Sequence, residues 1–229
     1  MTTTGSPLTS TDKPRRGRPR GAPEASEARQ KLIRAGLEHL TEKGYSAVGL
    51  DELLKAAGVP KGSFYHHFKS KADFGLTLVT AYNDYFVELL DRAFLDEARA
   101  PLDRLRVFTD AAAEGMARHG FRRGCLVGNL GQEMGALPDD FRAALTGVLE
   151  GWQTRTTRLL REAQAQGQIG PDLDPEALAE TFWIGWEGAV LRAKLERRPE
   201  PLHRFAATFF CLIENRSPTI TQKAERTQP

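Results

Sequence analysis

Apolar residues recur along most of the chain at helical spacing. Ile33, Leu37 and Leu40 fall at i, i+4 and i+7; Leu50, Leu53, Leu54 and Ala57 form a second stripe, and Phe64 and Phe68 a third. Such spacing lays an apolar face along a helix and leaves the polar residues outside. The punctuation agrees. Ser70-Lys-Ala-Asp73 reads as a capping box opening a long helix through about Leu95, with Phe74, Leu78, Tyr82, Tyr85 and Leu89 along it. Pro101 opens another through Arg118. Glycine-punctuated residues 120–135 are assigned a short helix or two. Pro138 precedes a helix with Phe141, Leu145, Val148, Trp152, Leu159 and Ala163, closed by Gly167 and Gly170. Asp174 as N-cap and Pro175 behind it start the next, which carries Leu178, Phe182, Trp186 and Ala189. Pro199 and Pro201 are expected to break it, and a last helix holds Leu202, Phe205, Phe209 and Ile213. Sustained strand alternation and internal repeats are absent. The expected fold is all-α, with about nine helices.

Composition changes this picture little: 229 residues, 40% hydrophobic and 27% charged, describe an ordinary globular chain. Charge changes it more. The net charge is only +2, but through Asp73 the chain has 13 Lys/Arg against 8 Asp/Glu, and the remainder has 19 against 22. A basic front on a mildly acidic body points to a polyanionic partner for the front. Residues 1–23 lack periodic apolar positions and are expected to be a disordered basic arm. Lys13 to Gly21 holds five positive charges and no acid. Extended by Pro and thinned by Gly, it resembles an AT-hook, with Arg15, Arg16, Arg18 and Arg20 suited to a narrow minor groove; a generic basic tail is the plainer reading. Residues 216–229 are read as a flexible tail. Two cysteines, Cys125 and Cys211, support neither a disulfide framework nor a cysteine zinc site. The N-terminus lacks an apolar signal region, and the longest apolar stretch, 205–213, is about half a membrane span. A cytoplasmic protein without membrane contact is expected.

The segment from Leu50 to Phe68 is the most informative. It reads as a helix, a tight turn at Gly58, and a second short helix. Leu53, Leu54 and Ala57 face Val59, Phe64 and Phe68, leaving Lys61, Gly62, Ser63, Tyr65, His66 and His67 outward. These are short or flat hydrogen-bonding groups suited to base edges and phosphates, and Gly62 permits close backbone approach. His66 and His67 are not read as a metal pair, since adjacent helical positions diverge by about 100°.

Ala57-Gly58-Val59, Lys61-Gly62-Ser63-Phe64-Tyr65-His66-His67-Phe68 and Ser70-Lys71 together resemble the TetR-family helix-turn-helix over residues 26–75. The resemblance implies a three-helix DNA-binding domain (24–73) whose second motif helix reads the major groove of double-stranded operator DNA. It implies phosphate contacts from Tyr65 and Lys71. The pattern departs at Gly49, where Thr commonly caps the first motif helix and touches phosphate, and at Pro60, where Ser commonly caps the recognition helix. It further implies a helical ligand-binding and dimerisation domain (74–215), with homodimers formed through two helices at about 174–195 and 202–215.

Within that domain, Arg123 to Met134 combines Gly124, Gly128 and Gly131 with polar Asn129, Gln132 and Glu133 among apolar neighbours, a mix suited to a pocket lining. Cys125, Asn129, Gln132, Glu133 and Met134, with Trp152, Trp183 and Trp186, are the candidate ligand-binding residues; for each tryptophan taken alone core packing is the plainer reading, and for Cys125 an inert buried thiol. Segments 123–138 and 182–189 resemble the acrylate-utilisation branch of the family, which implies a repressor released by acrylate or acryloyl-CoA. Acrylates are Michael acceptors, so alkylation of Cys125 is conceivable if Arg122 and Arg123 favour its thiolate. The alternatives are an architectural DNA-binding protein without ligand, or a regulator of this type sensing a different electrophile or acyl-CoA. With no HExxH, P-loop, nucleotide-binding glycine motif or nucleophile–base pair, the chain is not expected to be an enzyme or to need cofactor or metal.

Overall fold

A computed structural model describes residues 21–214. Among them nine α-helices follow one another: α1 (Gly21–Lys43), α2 (Leu50–Ala57), α3 (Lys61–His67), α4 (Lys71–Phe94), α5 (Pro101–Ala117), α6 (Leu126–Gln132), α7 (Asp140–Ala165), α8 (Pro175–Glu196) and α9 (Glu200–Ile213). Among the described residues, β-pairing is limited to one isolated antiparallel bridge, Ile169 to Glu214. No described helix is long and apolar enough to cross a membrane. The arm residues Arg15, Arg16, Arg18 and Arg20 lie outside the described residues, and α1 begins at Gly21, inside the stretch expected to be arm.

Local chemistry sets the helix ends. Gly58 takes φ 64° and ψ 34°, the left-handed conformation that closes α2, and Val59 N–H donates to the Leu54 carbonyl at 3.1 Å. The chain thereby turns sharply into α3. Neither Gly49 nor Pro60 caps its helix with a side chain, as their chemistry requires. Ser70 Oγ accepts from Asp73 N–H at 3.1 Å, while the Asp73 carboxylate accepts from Lys69 N–H at 2.8 Å, one residue earlier than a standard capping box. One boundary expectation needs correction. Pro201 does not break a helix; it lies in the first turn of α9, where its missing N–H costs nothing. Arg197 ends α8 instead, at φ 56°.

The reading head α1–α3 closes on Leu32, Leu40, Val48, Leu53 and Phe64, all buried. Phe64, Phe68 and Phe74 join it to α4, with ring centroids 4.8–5.4 Å apart. Helices α1 and α4 touch closely at Gly36, where a Cβ would sit 2.6 Å from Leu78 and Phe74. Helices α4 to α9 enclose a larger aromatic core of Phe86, Phe108, Trp152, Phe182, Trp183 and Trp186. Burying each such side chain contributes about 2–3 kcal/mol, provided its polar atom is satisfied. Trp152 and Trp183 meet that condition. Trp152 Nε1 donates to Asn83 Oδ1 and Trp183 Nε1 to Thr156 Oγ1, each at 3.0 Å, and the Thr156 hydroxyl donates to the Trp152 carbonyl.

Candidate nucleic-acid interface and effector cavity

Helix α3 presents Lys61, Gly62, Tyr65 and His66 to solvent, with Ser63 half-buried beside them. Tyr65 is 55% exposed, its ring edge-on to buried Phe64, so the hydroxyl is held outward on a rigid base. A Cβ on Gly62 would meet nothing within 4 Å. The protein's own packing therefore does not demand glycine there, and the backbone is open to close approach from outside. Lys61 lies 3.5 Å from Asp51 on an open surface, a weak pairing that leaves it available to a phosphate.

Two residues expected on this face are placed differently. His67 is half-buried with an enclosed Nε2 that has no hydrogen-bond partner among the described residues, and burial lowers its pKa, with His66 and Arg29 adding repulsion. Lys71 donates to the Tyr45 carbonyl at 2.9 Å and lies 4.3 Å over the Tyr45 ring. Burial lowers its pKa as well. Lys71 is engaged inside the protein, so the implied phosphate contact is not supported by its position.

Behind the reading head a cavity of about 350 Å³ opens between α1, α4, α5, the segment before α6, and α8. Its walls are apolar and aromatic: Leu37, Tyr82, Phe86, Leu89, Met116, Trp186 and Val190. Arg34, Arg118, His119 and Arg123 gather at its edge with Glu38. Arg123 reaches Glu38 at 3.6 Å; among the described residues, Arg34, Arg118 and His119 have no carboxylate within 4 Å. The cavity is thus greasy inside and cationic at the mouth.

Of the candidate ligand residues, Cys125 and Trp186 line this cavity. Trp152 and Trp183 stand one layer behind, packed against Phe86 in the core, the first tilted and the second edge-on. Asn129, Gln132, Glu133 and Met134 do not line it. Asn129 donates to the Leu40 and Thr41 carbonyls, Glu133 accepts from Tyr45 and Ser46 N–H, Gln132 is exposed, and Met134 packs half-buried against the core. The physical reason is the orientation of α6: Asn129 and its C-cap Glu133 turn toward α1 and the turn after it, Leu126, Val127 and Leu130 are buried in the core, and only the N-cap, Cys125, reaches the cavity.

Cys125 does not sit in thiolate-favouring surroundings. Burial pushes its pKa well above the ordinary range, and the neighbouring Glu187 carboxyl pushes the same way. Arg122 is paired with Glu42 and Arg123 with Glu38, so neither supplies the positive field that alkylation requires. Glu187 itself is raised from 4.5 to about 7 by burial, against a hydrogen bond with Cys125 that lowers it. Burial also raises the Tyr82 hydroxyl, which meets the same sulfur. Tyr82, Met116 and the cationic mouth were not legible as a site. They occupy ordinary helical positions on three segments that only the fold brings together.

Residues 32–75 match the family described as "Bacterial regulatory proteins, tetR family", and residues 101–209 match "Tetracyclin repressor-like, C-terminal domain". The chain is 73% identical to the transcriptional regulator AcuR of Cereibacter sphaeroides, over 91% of this chain and 95% of that one. It is 35% identical to the HTH-type transcriptional repressor DhaR of Mycobacterium sp. strain GP1, over 80% and 90%. The crystal structure of a regulatory protein TetR from Rhodobacter sphaeroides superposes with a TM-score of 0.81 at 74% identity, covering 81% of this chain and 98% of that one. A helix-turn-helix with an open polar face, a helical body enclosing a cavity, and this similarity along nearly the whole length show that the chain belongs to the TetR family of bacterial transcriptional regulators.

Proposed function

We propose that the protein is a dimeric, one-component repressor acting in the cytoplasm, released from operator DNA by a small acyl compound that enters the cavity. Acrylate and acryloyl-CoA are the leading candidates, on the resemblance of segments 123–138 and 182–189. The carrying observation is the cavity itself: about 350 Å³ of mostly apolar space whose wall includes Leu37 and Thr41 of α1, a reading-head helix. An occupant therefore touches the DNA-binding part directly. Acrylate alone leaves most of that volume unfilled. A thioester places its acyl end among Tyr82, Phe86 and Trp186 and its phosphorylated carrier near Arg34, Arg118 and Arg123. Glu187 and the raised Cys125 thiol favour reversible binding over alkylation.

The body of the molecule supports a two-fold assembly. Ile184, Leu191 and Leu195 form an exposed apolar stripe on α8, and Leu212 is exposed on α9. A dimer sets two recognition helices about 34 Å apart, one helical turn of DNA. A hundredfold release corresponds to about 2.7 kcal/mol of coupling, within the normal allosteric range. The test is release of the protein from duplexes of its own promoter region by acrylate, acryloyl-CoA, propionyl-CoA and free CoA. Release at the lowest concentration by acryloyl-CoA is expected; indifference to all four sinks the effector reading, and a monomer in sedimentation sinks the dimer.

A further inference from the structure

The turn that leaves α1 for α2 is held from three directions by residues beyond the reading head. The Thr41 carbonyl accepts from Gly124 N–H at 3.0 Å, Asn129 Nδ2 at 2.9 Å and Lys194 Nζ at 3.1 Å. Asn129 Nδ2 also reaches the Leu40 carbonyl at 2.9 Å. These belong to the last carbonyls of α1, which a helix cannot satisfy internally. At the C-cap of α6, the Glu133 carboxylate accepts from Tyr45 N–H at 2.8 Å and Ser46 N–H at 2.7 Å. Gly44, at φ 85°, leaves the space that this carboxylate occupies. Lys71 closes the turn from α4 through the Tyr45 carbonyl, and the Tyr45 ring sits edge-on to Phe141 of α7 at 5.4 Å.

Two features make this more than packing. Charge-assisted bonds to two successive backbone N–H groups fix the peptide planes of the turn, and so the direction in which α2 and α3 leave. Thr41 and Gly124 also line the cavity, so one end of the same grip is exposed to an occupant.

We infer that Glu133 and Asn129 are positioning residues for operator recognition. From the middle of α6 and from its C-cap they hold the α1–α2 turn in the arrangement that fits DNA. An occupant of the cavity loosens that hold at Thr41, a clause that rests on the effector reading above.

The experiment uses the full-length dimer and measures two things on E133A, E133Q and N129A: hydrogen exchange of the Tyr45 and Ser46 amides, and operator affinity per folded molecule. Loss of a charged acceptor predicts faster exchange at both amides and about tenfold weaker operator binding for E133A. E133Q, which keeps the side chain's volume, is expected to fall between E133A and the native protein and carries the test should E133A not fold. N129A is expected to weaken operator binding while leaving the Tyr45 and Ser46 amides protected. Glu133 with a merely structural role would lower the melting temperature but leave the affinity of the folded fraction unchanged. Native operator affinity in E133A, or unchanged exchange at both amides, overturns the inference. With acryloyl-CoA as the added compound, the fold-change in operator affinity should shrink in N129A; an undiminished fold-change overturns the Thr41 clause. If the native protein does not respond to acryloyl-CoA, the effector reading fails together with that clause, while the exchange and affinity measurements still decide the role of Glu133.

Discussion

Replacing Glu187 by Gln should change how stability depends on pH, with a sign fixed by the geometry. The Glu187 carboxyl lies where a Cβ on Gly128 would be and hydrogen-bonds the buried Cys125 sulfur. Its pKa is raised from 4.5 to about 7, chiefly by burial. Between those two values the folded protein holds a proton that the unfolded chain has released. Stability from this group is therefore full at low pH, declines as pH climbs through the window, and stays low above about 7. At about 1.4 kcal/mol per unit, the full displacement corresponds to about 3 kcal/mol; because the residue is only half-buried, about 2 kcal/mol is the working figure. Glutamine cannot ionise. E187Q should thus match or slightly trail the native protein at pH 5 and exceed it by about 2 kcal/mol at pH 8. Urea unfolding at pH 5, 6.5 and 8, at one fixed protein concentration because dimerisation contributes to stability, measures this. Parallel pH profiles for the two proteins would refute the burial of that carboxyl.

Three further outcomes follow from other parts of the molecule. Lys71→Ala should leave the salt dependence of operator binding unchanged, because Lys71 is committed to Tyr45, and cost about 1 kcal/mol of stability; a slope reduced by about 1 would instead identify a phosphate contact. Deleting residues 1–22 should flatten the plot of log K against log salt by about 3.6 if the four arginines of the arm each neutralise a phosphate, and an identical slope retires the minor-groove arm. Gly185→Ala drives a methyl group into the Phe205 ring between α8 and α9; a loss of about 1–3 kcal/mol is expected, and an unshifted melting temperature contradicts that packing.

The helices were legible because their signals are local. Ser70 with Asp73, Gly58, and Asp174 with Pro175 each act within a few residues, and each stands where the pattern put it. Pro201 misled because proline ends a helix or begins one according to its neighbours, and the residue that stops α8, Arg197, has no sequence mark of a left-handed conformation. The exposed edge of α3 was readable for the same local reason. The cavity was not. Asn129 and Glu133 drew attention as polar residues among apolar ones, yet their partners are backbone groups more than eighty residues away. The cavity's cations come from α1 and the segment after α5, and nothing in a one-dimensional pattern links Arg34 to Arg118. His67 and Lys71 show the same limit at short range, since a rotation of about 100°, one residue along a helix, separates a groove-facing side chain from an inward one.

The three tryptophans have an optical consequence. Trp152 and Trp183 lie 5.0 Å apart, close enough to share excitation, and Trp186 belongs to the same aromatic cluster while forming part of the cavity wall. Light absorbed anywhere in the cluster can reach the indole beside the occupant. A molecule seated against Trp186 should therefore alter the emission and near-ultraviolet dichroism of the whole cluster. Compounds can then be titrated against the unlabelled protein, with no DNA in the cuvette.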